Sequence, residues 1–144
     1  KYCSNDEHCI SQVEKKLFDW GIAPHQSQDI IDHLVEHDFI NELRFAQQYV
    51  RGKVRINKWG RLKIIASLKS KGIHKSHIDQ AIKGIYEPDY RKMLEKLLED
   101  KMKTVDAADP KRKKNKVYYF LMSRGFESSL IRDALFNKKS LLDD

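Results

Sequence analysis

The sequence predicts an all-α fold, built from three tandem three-helix repeats that form an elongated, curved array. Three observations predict it. Apolar residues recur at helical spacing along most of the chain. Only six Gly and three Pro occur in 144 residues, too few for the many tight turns of an all-β fold. A short motif, Leu-x-x-x-Gly-[Ile/Phe], occurs around Gly21, Gly72 and Gly125, at intervals of 51 and 53 residues.

The first repeat is predicted at residues 1–58. Its first helix ends at Gly21, where a glycine can take the left-handed conformation that closes a helix. A second helix follows Pro24, and a third begins after Asn41, a suitable N-cap. The predicted apolar faces are Ile10, Val13, Leu17 and Trp20; then Ile30, Ile31, Leu34 and Val35; then Phe45, Ala46, Tyr49 and Val50.

The second repeat is predicted at residues 59–108, with its first helix ending at Gly72. Ser76 and Asp79 have the spacing of a capping box at the start of the next helix. Pro88 suits the first turn of the third helix. The predicted apolar faces are Leu62, Ile65 and Leu68; then Ile78, Ala81, Ile82 and Ile85; then Met93, Leu94, Leu97, Leu98 and Met102.

The third repeat, predicted at residues 109–144, is expected to be incomplete. Asp109 and Pro110 form a cap and first turn, and this helix ends at Gly125. The predicted apolar positions are Val117, Phe120 and Leu121, then Leu130, Ile131, Ala134 and Leu135. Because a unit of this size is too small for a substantial core, neighbouring repeats are expected to share one.

Positive charge is concentrated in one segment. No Asp or Glu occurs between Glu42 and Asp79, whereas ten Lys and Arg do, and this excess more than accounts for the net charge of +7. A second cationic cluster opens the third repeat. Such segregation favours a polyanionic partner over a merely soluble surface. The candidate binding residues are Arg44, Arg51, Lys53, Arg55, Lys58, Arg61, Lys63, Lys69, Lys71, Lys111, Arg112, Lys113, Lys114, Lys116 and Arg124.

Sequence-specific reading of DNA is a weaker interpretation of the same cations. Leu68 to Ile82 has the spacing of a helix-turn-helix with Gly72 in the turn. However, the would-be recognition helix at 76–83 is short and nearly neutral, and the cations lie on the helix before it. This distribution favours contact with phosphates over contact with base edges.

Catalysis and metal binding have little support. His33, Glu36 and His37 spell the H-x-x-E-H of inverted zinc peptidases, but no third ligand stands out and the two histidines are expected to face solvent. Cys3, His8 and Cys9 would need another partner to hold zinc. No phosphate-binding glycine loop or nucleophile motif occurs. We therefore expect no catalytic residues, no metal and no cofactor.

The chain has no apolar window of membrane-spanning length, so no membrane partner is expected. Two cysteines are too few for a disulfide scaffold and suit a reducing compartment. We expect a cytoplasmic monomer.

Several separated motifs resemble the RecX family. They are Ile40-Asn-Glu-Leu-Arg-Phe-Ala-Gln-Gln-Tyr-Val-Arg51, then Gly60-Arg-x-x-Ile-x-x-x-Leu-x-x-Lys-Gly-Ile73, then Tyr118-Tyr-Phe-Leu-Met-Ser-Arg-Gly-Phe126 with Ile131, Ala134 and Leu135 following. Asn41 departs from the family, which usually has Asp there, although both residues cap helices about equally well.

The resemblance implies a bacterial regulator of the RecA recombinase, acting in DNA repair, homologous recombination and the SOS response. It also implies tandem three-helix repeats that bind in the groove of the RecA–DNA filament and inhibit it. The expected partners are the RecA filament and single-stranded DNA or the DNA phosphate backbone. The alternative is a helical protein that binds nucleic acid without sequence preference through its basic face.

Overall fold

A computed structural model of the chain describes residues 1–106 and 108–143, with the side chains of Asn5 and of residues 138–143 excepted. Within these ranges it contains nine helices and no strand, which confirms the predicted all-α class. Ala107 and Asp144, at the second predicted boundary and at the predicted end of the third repeat, lie outside the described residues. The helices are α1 Tyr2–Asn5, α2 Ile10–Asp19, α3 Pro24–Glu36, α4 Glu42–Arg55, α5 Arg61–Ser70, α6 Lys75–Lys83, α7 Glu87–Thr104, α8 Pro110–Ser123 and α9 Ser128–Asp143.

The three motif glycines end α2, α5 and α8 as predicted. Gly21, Gly72 and Gly125 have φ of 79°, 78° and 93°, in the left-handed region that glycine adopts without penalty. Each end makes the same pair of Schellman hydrogen bonds. At Gly72, for example, the glycine N–H donates to Lys69 O over 3.0 Å, and Ile73 N–H donates to Leu68 O over 3.2 Å.

Two of the predicted caps are confirmed and one is wrong. Asn41 Oδ1 accepts a 3.0 Å hydrogen bond from Arg44 N–H, and Asp109 Oδ1 accepts one from Lys111 N–H. The capping box at Ser76 does not form, because the N-cap of α6 lies two residues earlier. His74 is its N-cap, and His74 Nδ1 accepts a 3.1 Å hydrogen bond from Ser76 N–H.

The chain divides into two compact units. Unit 1 comprises residues 1–52 and 65–84. In it, α2 packs against α3 over a cluster of Val13, Leu17, Ile31 and Ile40. Ile30 and Val35 were predicted to be buried with Ile31, but they are 37% and 46% exposed. Trp20 is also exposed. Only a narrow strip of α3 is therefore covered: Ile31 belongs to the buried cluster, whereas Ile30 and Val35 are largely outside it.

Unit 2 comprises residues 53–64 and 85–144, of which 107 and 144 are not described. Its helices α7, α8 and α9 all pack on one another. The buried cluster consists of Tyr90, Leu94, Leu98, Val117, Leu121, Phe126 and Ile131. Leu62 was predicted on the apolar face of α5, but it is 49% exposed, and its neighbour Ile64 is buried instead.

Candidate functional site

Three exposed candidate cations lie on the last turns of α4 and on the connection that follows it. Arg51, Arg55 and Lys58 are exposed, and no ion pair holds any of them within the described part of the chain. On a helix, Arg51 and Arg55 are four residues apart and therefore share a face. Their positive charge is available to a partner outside the chain.

Two lysines of unit 2 meet at one indole ring. Lys53 Nζ and Lys63 Nζ lie 4.7 and 4.6 Å from the ring centroid of Trp59, which is half-buried. The backbone N–H of Trp59 also donates a 3.1 Å hydrogen bond to Lys53 O. Cation–π attraction of this kind favours keeping two like charges close together. The result is a concentrated positive charge at the start of α5.

Arg124 joins the same connection. Its Nη1 donates a 3.2 Å hydrogen bond to Asn57 O, and its guanidinium lies 5.2 Å from the Phe120 ring centroid. Within unit 2, the predicted residues Lys53, Lys63 and Arg124 are thus held on or beside the segment 57–60.

Arg44, in unit 1, has its charge compensated by nearby acids. Its Nε donates to Glu7, and its Nη1 lies 3.0 Å from Asp38 Oδ2. Hydrogen bonds from Asn41 and then from Arg44 hold the pKa of Asp38 below its usual value. Arg44 therefore ties the start of α4 to residues before it.

Arg61, in unit 2, lies at the centre of a polar network. Its guanidinium donates to Glu127 over 2.6 Å and to Glu87, and it lies 3.9 Å from the ring centroid of buried Tyr90. Tyr90 Oη donates to Glu127 Oε1 over 2.5 Å and accepts a 3.0 Å hydrogen bond from the backbone N–H of Arg61. Burial, reinforced by the bond to Glu127, raises the pKa of Tyr90 well above its usual value. The phenol therefore stays neutral and can donate.

Backbone hydrogen bonds to the C-terminal end of α8 also hold the start of α5. Gly60 N–H donates to Arg124 O over 2.7 Å, and Leu62 N–H donates to Gly125 O over 2.9 Å. Together with the bond to Tyr90, these satisfy donors that a helix start otherwise leaves free. A Cβ on Gly60 would lie 2.4 Å from the Gly125 backbone, so only glycine permits this approach.

The remaining candidates lie on α5 and its C-terminal end in unit 1, and on α8 in unit 2. Lys69 is exposed, and Lys71 Nζ lies 5.7 Å from the Tyr49 ring centroid. On α8, Lys111, Arg112 and Lys116 are exposed, whereas Lys113 and Lys114 are half-buried. The structure thus distributes the fifteen predicted cations over both units.

The described residues contain no group of three or more His, Cys, Asp or Glu arranged to hold a metal ion. The His33 and His37 rings are 4.1 Å apart on an exposed face, and His37 Nδ1 contacts His33 O over 2.9 Å. None of the described helices has the length and hydropathy that a bilayer crossing requires.

Sequence reasoning missed the carboxylates that compensate Arg44 and Arg61. Segment 43–78 contains no acid, but Glu7, Asp38, Glu87 and Glu127 approach it from elsewhere in the chain. The acid-free stretch gave no indication of these partners. Glu127 does follow the Gly125-Phe126 motif directly, and this was the available signal.

Comparison with known proteins identifies the family. The RecX second three-helix domain matches residues 41–82, and the RecX third three-helix domain matches residues 89–135. The chain is 34% identical over 117 residues to the regulatory protein RecX of Clostridium tetani, covering 80% of this chain and 53% of that protein. It is 31% identical over 128 residues to that of Chlorobaculum tepidum, covering 89% and 78%.

Solved structures agree on the fold. A crystal structure of regulatory protein RecX matches with a TM-score of 0.84 and 26% identity, over 92% of this chain and 66% of that one. RecX from Lactobacillus salivarius matches with a TM-score of 0.82 and 24% identity, over 94% and 88%. The chain spans about half the length of some of the curated relatives it matches.

Helical repeats closed by matching glycine ends, with exposed cations on α4 and α8, make this chain an all-α repeat protein. The chain belongs to the RecX family of regulatory proteins.

The predicted repeat boundaries at 58/59 and 108/109 stay a prediction. The two matched ranges group the helices as α4–α6 and α7–α9. A repeat period read from glycines gives the interval between units, and it does not determine which helix begins each unit.

Proposed function

We propose that this chain regulates a RecA recombinase by binding the RecA–DNA filament and inhibiting its activity. Family membership is the observation that carries the proposal, because the matching relatives are regulatory RecX proteins. In this role the protein takes part in DNA repair, homologous recombination and the SOS response. It acts in the cytoplasm as a monomer and without catalysis of its own.

The charge distribution supports the proposal. Arg51, Arg55, Lys58 and Lys69 are exposed cations without a carboxylate partner among the described residues. Lys53, Lys63 and Arg124 add charge beside Trp59. A polyanion such as DNA, or an acidic protein surface, is attracted to exposed cations before contact forms. We assign contact with the filament to these residues and to the α8 cations.

Arg44 and Arg61 have a different part in the proposal. Because two carboxylates already neutralise each of them, they contribute little net field. We infer that they orient α4 and α5, which carry the contacting residues, and that they do not touch the partner.

Co-sedimentation tests this function. We expect the protein to pellet with preformed recombinase filaments on single-stranded DNA at concentrations where it does not pellet with the naked strand. A variant with Arg51 and Arg55 changed to Glu should remain in the supernatant, and one with Lys92 and Lys96 changed to Glu should pellet normally. Equal pelleting with the filament and with naked DNA would contradict filament recognition.

Equal pelleting would instead support binding of nucleic acid without sequence preference. The same exposed cations favour this second function. The affinity of the protein for nucleic acid should then fall steeply with salt, because each phosphate contact releases condensed counterions.

A further inference from the structure

An aromatic and cationic groove lies in unit 2 between the end of α7 and the middle of α8. It has a volume of about 590 Å³, and it is lined by Lys101, Val105, Asn115, Lys116, Tyr119 and Phe120. We propose that this groove binds single-stranded nucleic acid, with a base stacked on Tyr119 and neighbouring phosphates at Lys101 and Lys116. The inference rests on the proposed function for the kind of ligand, and it adds base stacking to phosphate contact.

The ring of Tyr119 is both exposed and supported. It is 68% exposed although it lies mid-helix, beside the buried residues Val117 and Leu121. It packs edge-to-face on Tyr118, with centroids 5.4 Å apart and an angle of 83°. The Arg132 guanidinium lies 5.9 Å from the Tyr118 ring in turn. A supported ring loses little conformational freedom when a base stacks on it, and every base offers a face for stacking.

Phe120, the other ring of the groove, already holds cations. Lys101 Nζ lies 4.4 Å from its centroid, and the Arg124 guanidinium lies 5.2 Å away. The stacking surface is therefore Tyr119, and Phe120 serves to place the Lys101 ammonium at the groove.

Two cations precede Tyr119 on the same face of α8. Arg112, Lys116 and Tyr119 are spaced four and three residues apart, so they lie about 6 and 4.5 Å apart along the helix axis. Lys116 Nζ lies 3.5 Å from the backbone oxygen of Asp106, which leaves its charge uncompensated by that contact. Phosphates of a strand whose base lies on Tyr119 can reach both cations.

The acidic residues Asp106 and Asp109 belong to an adjoining hollow of about 720 Å³, whose other lining residues are Ala108, Arg112, Asn115 and Lys116. One of them, Asp109, accepts the hydrogen bond from Lys111 N–H that caps α8. Asn115 lies in both hollows and offers a donor and an acceptor to a base edge. An acidic helix would satisfy the lysines, but it would leave the Tyr119 face without a flat partner. The groove therefore favours a nucleic-acid strand.

The test uses the full chain without recombinase, and the fluorescence anisotropy of a labelled oligothymidylate of about ten nucleotides. An abasic strand of the same length keeps the phosphates and removes the bases. We expect the oligothymidylate to bind more tightly than the abasic strand. Tyr119→Ala should weaken its binding by roughly 5- to 100-fold, whereas Tyr119→Phe should change it little.

Matched controls lie in the same unit. Tyr86 is 67% exposed at the opposite end of α7, so Tyr86→Ala should leave binding unchanged. Lys116→Ala should lower the slope of log affinity against log salt by about 0.7, and Lys92→Ala should not.

The proposal is overturned if the two strands bind equally or if Tyr119→Ala and Tyr86→Ala behave alike. It is also overturned if a poly-glutamate peptide competes as well as the oligothymidylate. Since no recombinase is present, none of these outcomes decides whether the chain inhibits RecA.

Discussion

Gly72 and Gly125 end their helices identically, yet their surroundings differ at the scale of single residues. A Cβ on Gly72 would meet nothing within 4 Å, whereas one on Gly125 would lie 2.4 Å from Lys63 Cβ and 2.5 Å from Lys63 N. Gly72→Ala should lower the free energy of unfolding by about 1–2 kcal/mol, through its positive φ alone. Gly125→Ala should cost about 1–3 kcal/mol more, because backbone must also move.

Urea unfolding of the two variants measures this difference. Comparable losses from Gly72→Ala and Gly125→Ala would contradict the close approach between the start of α5 and the end of α8.

Arg61 and Arg55 are both predicted binding residues, but we expect Arg61 to stabilise the fold and Arg55 to contact the partner. The Arg61 side chain is 18% exposed and bonded to Glu87 and Glu127, whereas Arg55 is exposed. Arg61→Gln should lower the free energy of unfolding by about 1–3 kcal/mol, because it leaves the partly buried Glu127 carboxylate without its cation. Arg55→Gln should change stability by less than about 0.5 kcal/mol and weaken filament binding instead.

Thermal unfolding and filament co-sedimentation of both variants separate the two effects. A stable Arg61→Gln protein with impaired binding would place Arg61 at the interface and contradict its structural role.

At the scale of helices, one polar network ties the starts of α5, α7 and α9 together. The pKa of Glu87 lies below its usual value, mainly because the Arg61 guanidinium donates a hydrogen bond to this carboxylate. A carboxyl group with a depressed folded-state pKa stabilises the fold above its unfolded-state pKa, and this contribution is lost as pH falls through the folded-state value.

We therefore expect the stability of unit 2 to decrease below about pH 4.5, near the usual glutamate pKa. Glu87→Gln should flatten the decrease, whereas Glu95→Gln on the exposed face of α7 should not. Circular dichroism melting between neutral and acidic pH measures this. An unchanged acid profile in Glu87→Gln would show that the Arg61–Glu87 pair contributes nothing to stability.

Helices and their ends were largely predictable from sequence because their causes are local. Apolar spacing located the helices, and the left-handed conformation at Gly21, Gly72 and Gly125 follows from glycine itself. The contacts made by Arg61 were not predictable, because Glu87 and Glu127 are distant in sequence. The exposure of Ile30 and Leu62 was missed for a related reason, since periodicity identifies an apolar face but does not say how much of it a neighbour covers.

At the scale of the whole molecule, the proposed function depends on an electrostatic field that many cations produce together. Changing Arg51, Lys53 and Arg55 to Glu should slow association with the filament and reduce the salt dependence of binding. The matched control changes Lys92, Lys96 and Lys103 to Glu, with the same change in net charge but on α7. Association rates at two salt concentrations, with circular dichroism to verify folding, test this. Equal slowing by both variants would mean that net charge, and not the α4 surface, governs the encounter.

The most direct test of the central claim is recombinase ATP hydrolysis on single-stranded DNA, titrated with this protein and followed by a strand-exchange assay. The proposed function predicts that both activities fall as the protein is added, that the α4 charge variant needs a much higher concentration for the same effect, and that the α7 control does not. Unchanged ATP hydrolysis and strand exchange at saturating protein would contradict the claim that this chain inhibits the RecA filament.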